Sequence, residues 1–201
     1  MFGKIILTIF VFLFFACGNP EKPTCNNDEN FNEYAVYSAI IQTVYSKSAQ
    51  QQIVILDKTN IGEMNLSELD FREESLKELR KDFPDFDKSV ADNFNSKIGL
   101  RSPLERKFSV SMPYVFASEK DFEEIYMAHY PKYYDKFQEK FPEAVSPGSS
   151  RMILLSKPGF NENLNQAVAF IQIWADRKSY FLLKREYCEW KVRKELNVSV
   201  H

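Results

Sequence analysis

The sequence predicts an α+β domain in which N-terminal helices pack on a C-terminal four-stranded antiparallel meander. Three observations lead there. Apolar residues recur at helical spacing through much of the chain before residue 150. After it, strand-like runs alternate with short turns. Eighteen Phe, ten Tyr and two Trp supply the large buried areas from which a core is built. A cone-shaped, cystatin-like sheet coiled around a helix is the architectural alternative.

The elements follow in order. Over 33–47, Val36, Ile40, Ile41 and Val44 fall on one helical face, flanked by Tyr37 and Tyr45. Residues 52–56 form a short apolar run rich in β-branched side chains, as in a buried strand. A helix is expected over 65–84, with Ser67 as N-cap and Leu69, Leu76 and Leu79 inward, and a shorter one over 85–98 using Phe86, Val90 and Phe94. Residues 107–116 alternate but contain Pro113, which predicts a bent or edge strand. Ser118 is placed to cap a helix over 119–127, with acidic residues in its first turns, and Pro131 opens another that reaches Phe141. Four strands are expected over 151–156, 166–174, 179–185 and 190–200. In the last, Trp190, Val192, Leu196 and Val198 alternate with polar residues, a period of two that predicts one wet face.

The N-terminus is a different kind of segment. Residues 5–16 form an apolar run of twelve interrupted only by Thr8. As a helix it would reach about 18 Å, short of the roughly 30 Å hydrocarbon core, so it suits a signal-peptide core better than a membrane span. Leu13-Phe14-Phe15-Ala16-Cys17-Gly18 resembles the lipobox of bacterial lipoproteins. That resemblance implies cleavage before Cys17 and acylation of its thiol, leaving a membrane anchor. Residues 18–30 carry two prolines and no hydrophobic period, which reads as a flexible tether. The expected organisation is thus a signal peptide over 1–16, an anchor and tether over 17–30, and one domain over 31–201. Gly18 stands where an Asp would resemble an inner-membrane retention signal, so the resemblance implies the outer membrane, without choosing its periplasmic or outer face.

Removal of Lys4 with the leader leaves 25 basic against 28 acidic residues, mixed along the chain. This near-neutrality carries no electrostatic footprint for nucleic acid and no polybasic membrane patch. Only six glycines are present, and neither GxGxxG nor GxxxxGK[ST] occurs, so no phosphate-cradling loop or cofactor is expected. Once Cys17 is set aside, Cys25 and Cys188 remain. Export would place them where disulfides persist, and they are read either as a pair or as two free thiols.

A second resemblance covers most of the mature chain. Leu155-Ser156, Gly159-Phe160-Asn161, Gln166-Ala167 and Trp190-Lys191-Val192 resemble the recurring motifs of bacterial secreted and lipoprotein domains without assigned activity. It implies fold and location, not chemistry.

Catalytic candidates are weak. Residues 57–68 have Asp57, Gly62 and Glu68 at EF-hand positions 1, 6 and 12, but Thr59 and Ile61 stand where oxygen ligands are required. His129, the only histidine inside the predicted fold since His201 is the last residue, lies near Glu123 and Glu124, and the count excludes a His-rich zinc site. Tyr126, Tyr130, Tyr133, Phe137 and Phe141 recur at helical spacing. If both helical pieces run in line, their rings share a face, either packed on the sheet or open as an aromatic ligand cleft. The expectation is therefore a lipid-anchored, non-catalytic envelope domain that contacts another envelope protein or a ligand. An envelope enzyme with a carboxylate site is the alternative.

Overall fold

The computed structural model describes residues 24–46, 52–59, 77, 80–81, 83–128, 131–144, 152–173 and 177–198. In β1 (Ile53–Leu56) every side chain is buried. Ile53 and Ile55 belong to one hydrophobic cluster, Val54 and Leu56 to another. A strand apolar on both faces has to be covered on both, and that requirement sets the architecture. The first face is covered by α1 (Glu29–Tyr45), which contributes Val36, Tyr37, Ile40 and Ile41. The second carries α2 (Lys88–Lys97) on one half and the pair α3 (Glu119–Met127) and α4 (Lys132–Lys140) on the other.

Between these layers lies one mixed sheet. Its strands are β1, β2 (Tyr114–Ala117), β3 (Met152–Leu155), β4 (Gly159–Phe160), β5 (Gln166–Ile173), β6 (Arg177–Glu186) and β7 (Glu189–Asn197), in the order β2-β1-β3-β5-β6-β7, with β4 beside β5. β1 runs parallel to β2 and β3, and the remaining pairs are antiparallel. The fold is α+β, as expected, but the sheet has seven strands rather than a separate meander of four. The buried run at β1 and the segment after Pro113 join it because each needs partners for its backbone groups. Helices on two faces and parallel pairing also distinguish it from the cone-shaped alternative.

Three local expectations are revised. Residues 107–112 do not form a strand: Phe108 turns into the α1 layer, and the Ser109 N–H donates to Ser38 Oγ at 2.9 Å instead of to a neighbouring strand. β7 does not keep one wet face. Its register against β6 slips by one residue between Leu182, opposite Lys194, and Leu183, opposite Val192. The extra residue, Arg193, reverses which side faces where. Trp190 and Val192 therefore join the α1 cluster, whereas Leu196 and Val198 pack on the α2 cluster. Finally, α1 begins inside the stretch read as tether, because Asp28 caps it by accepting from the Phe31 N–H at 2.7 Å. The helix expected over 65–84 falls largely outside the described residues.

Candidate functional site

A concavity lies along the N-terminal half of α1. It encloses about 450 Å³ between Asp28, Asn30, Phe31, Tyr34, Ala35 and Ser38 of the α1 segment and Lys107 and Ser109 of the loop before β2. Helical spacing explains the wall: 31, 34, 35 and 38 fall on one stripe of α1. The irregular path of 107–109 supplies the opposite side. Phe31 remains 53% exposed at the mouth.

Its polar groups are largely engaged. Ser38 Oγ donates to the Tyr34 carbonyl at 2.6 Å while accepting from Ser109 N–H. The Tyr34 hydroxyl accepts from the Glu105 N–H at 2.7 Å, and burial pushes its pKa up. Lys107 pairs with Glu105 at 2.8 Å, which raises its pKa, and it lies 5.7 Å from the Tyr34 ring centroid. A cationic lysine and a neutral tyrosine offer cation–π, apolar and hydrogen-bonding contacts.

The α3–α4 aromatics do not make one ring face along a continuous helix. The chain turns at Pro131, and α4 doubles back so that Lys140 reaches Asp121 and Glu124 near the start of α3. Tyr133 and Phe137 are buried in the core under β1 and β3, while Tyr126 stays 51% exposed and stacks on Phe122. Tyr130, His129 and Cys17 lie outside the described residues. The carboxylate most strongly shifted is Asp121, lowered to about 2 by its hydrogen bond to Lys140 and by Ser118. A general acid would need the opposite shift. Of the calcium-like segment, Asp57 and Thr59 are described. Thr59 is buried, donating its hydroxyl to the Leu100 carbonyl at 2.8 Å and accepting from Ser102 N–H at 2.8 Å. Among the described residues no cluster of three or more His, Cys, Asp or Glu could hold a metal ion.

Cys25 and Cys188 are joined by a disulfide, with their Cα atoms 5.1 Å apart. It ties the start of the described chain to the β6–β7 turn. Neighbouring contacts reinforce the tie: Arg185 Nη2 donates to the Asn26 carbonyl at 2.7 Å, and Trp190 Nε1 donates to Asn32 Oδ1 at 2.9 Å. The amide of the fully buried Asn32 in turn donates to the Asn26 and Asp28 carbonyls at 3.0 and 2.7 Å.

The motif residues of the C-terminal segment prove to have structural work. Ser156 Oγ accepts from the Phe170 N–H, and the Ser156 carbonyl accepts from the Tyr37 hydroxyl. Asn161 Oδ1 accepts from the N–H groups of Asn165 and Gln166, closing the turn into β5. Gln166 Nε2 donates to the Asp85 carbonyl, and its Oε1 accepts from Asp87 N–H, which fastens the approach to α2. At Gly159 a Cβ would sit 2.4 Å from the Phe94 backbone nitrogen, so only glycine lets α2 seat on β4. Sequence reasoning missed the α1 groove. Its one available signal was an aromatic, Phe31, placed three residues after Asp28 in the polar first turn of a helix. No family model, curated protein or solved structure matches the chain.

Proposed function

We propose that the chain is a lipid-anchored protein of the bacterial cell envelope, held at the outer membrane through acylated Cys17. Its domain binds a ligand or another envelope protein rather than transforming a substrate. The observation that carries the reading is the Cys25–Cys188 disulfide, whose first cysteine lies only eight positions beyond Cys17, the residue that follows the leader. Disulfides of this kind persist outside the reducing cytosol, which is where a leader of this pattern would deliver the chain. The α1 groove supports the binding role because it combines an exposed aromatic, Phe31, with the cation of Lys107 over the Tyr34 ring. The antiparallel neighbours β3, β5, β6 and β7 support a reading in which a meander-like part of the larger sheet is the base of this unit. The resemblance to secreted and lipoprotein domains without assigned activity fits the same reading.

Growth with an alkyne-bearing fatty acid, followed by click detection, tests the anchor. The full-length protein should take up label and fractionate with membranes, and Cys17→Ser should do neither. Label retained by Cys17→Ser would refute the attachment.

A further inference from the structure

The β6–β7 turn joins its strands through two residues, Tyr187 and Cys188, both with positive φ (51° and 68°). Such turns favour Asn-Gly, because a side chain in this region costs about 1–2 kcal/mol per residue. Cys188 is fixed there by its disulfide. The turn imposes the same conformation on Tyr187, but nothing in the turn calls for an aromatic there: it is 87% exposed, the most exposed large hydrophobic residue among those described. A strained backbone carrying an outward aromatic points to a function at the tip.

Chain geometry says what the tip faces. Residues 25–32 are tied to the β6–β7 turn by the disulfide, by Arg185 and by Trp190, so exposed Phe31 belongs to the same end of the molecule. Seven residues separate Cys17 from Cys25. Fully extended, those eight Cα steps reach about 30 Å at most, close to the roughly 25 Å length of α1 itself. An acylated Cys17 therefore keeps the disulfide end within about one domain height of the lipid. Of the acids at this end, Glu29 is paired with Lys97 and Glu186 with Arg193, while Asp28 and Glu189 are exposed, which suits the headgroup level of a neutral bilayer rather than its hydrocarbon. We propose that the disulfide-bonded end is the domain's membrane-facing surface, with Tyr187 and Phe31 seated in the lipid interface. Aromatic rings of this kind favour the headgroup level, where an apolar body and a wet rim are both accommodated.

This orientation rests on the anchor proposed above, and the two fail distinguishably. Full-length Tyr187→Trp, labelled with the alkyne fatty acid, is reconstituted into phosphatidylcholine vesicles with or without mid-chain bromines. Phe31→Trp serves as a second reporter. Tyr126→Trp is the control: α3 runs back from the end of β2, and β2 points the same way as β6, so the α3–α4 turn lies at the opposite end of the sheet. Emission added at 187 and at 31 should be quenched at least roughly twofold by the bromines, since an interfacial ring lies within their reach, and emission at 126 should not change. Labelled protein with no quenching at 187 or 31, or with equal quenching at 126, overturns the orientation alone. Protein that takes no label and does not float with vesicles overturns the anchor, and the orientation with it.

Discussion

At the disulfide end, α1, the β6–β7 turn and the segment before α1 are held by a covalent bond and by buried hydrogen bonds between uncharged groups, Asn32 with Trp190 above all. On the opposite flank, α3 and α4 are clipped together at the surface by Lys140, which reaches Asp121 and Glu124 at 2.8 Å each. Both regions dock helices on one sheet, yet they should answer to different solution conditions. Reductant attacks the first and acid or salt the second, because exposed ion pairs are screened whereas buried neutral hydrogen bonds are not. Under the proposed anchoring, load entering at Cys25 would pass through the disulfide directly to the sheet rather than peel α1.

The largest effect expected is loss of the disulfide. It closes a loop with a sequence separation of 163, for which the chain-entropy model gives roughly 5 kcal/mol as an upper figure. Urea unfolding of the wild type with and without reductant, and of the paired Cys25→Ser and Cys188→Ser variant, should show a large common drop in midpoint. A variant as stable as the oxidised wild type would remove the distinction between the two ends. Next comes Asn32→Ala, which strands the buried Trp190 Nε1 donor, while the Asn26 and Asp28 carbonyls keep Arg185 and the residue-32 N–H. About 1–3 kcal/mol should be lost, since an unmade buried hydrogen bond carries its full desolvation cost. The same loss is expected in low and high salt, and a strong salt dependence would contradict the assignment.

How legible each region was in the sequence follows from the same physics. α1, β1 and the strands after residue 150 were readable because burial imposes a period, and Ile53–Leu56 is apolar on both sides for the reason that it is covered on both. Parallel pairing of β1 with β2 and β3 was not readable, since it depends on a crossover through segments whose periodicity is local. The face reversal in β7 was hidden as well. A bulge at Arg193 costs one residue in register and leaves the written alternation of Trp190, Val192, Leu196 and Val198 intact. The aromatic series 126 to 141 misled in the opposite direction: spacing continued through Pro131, but the backbone did not. The α1 groove was illegible because one side of it comes from Lys107 and Ser109, two of its eight lining residues, whose strand-like alternation concealed an irregular path.

The smallest expected effect is the most specific to the α3–α4 flank. Asp121 is lowered from 3.8 to about 2, first by its hydrogen bond to Lys140 and then by Ser118. A carboxyl whose folded pKa lies below its unfolded value stabilises the fold at pH above the unfolded value. That contribution disappears as pH falls through the folded one. The window is therefore from about pH 4 down to about pH 2, and nothing from this pair should change between pH 5 and 8. Because Asp121 and Lys140 are both partly open to solvent, with side chains 30% and 22% exposed, screening reduces the contribution to about 1 kcal/mol. Lys140→Met keeps the aliphatic stem and removes the charge. At neutral pH it should be less stable than wild type by that amount, and near pH 2 the two should converge. Convergence identifies charge as what clips α4 to α3. A difference that persists at pH 2 would assign the role to stem packing instead, and high salt offers an independent check, since it should shrink the neutral-pH difference while leaving the Asn32→Ala loss untouched.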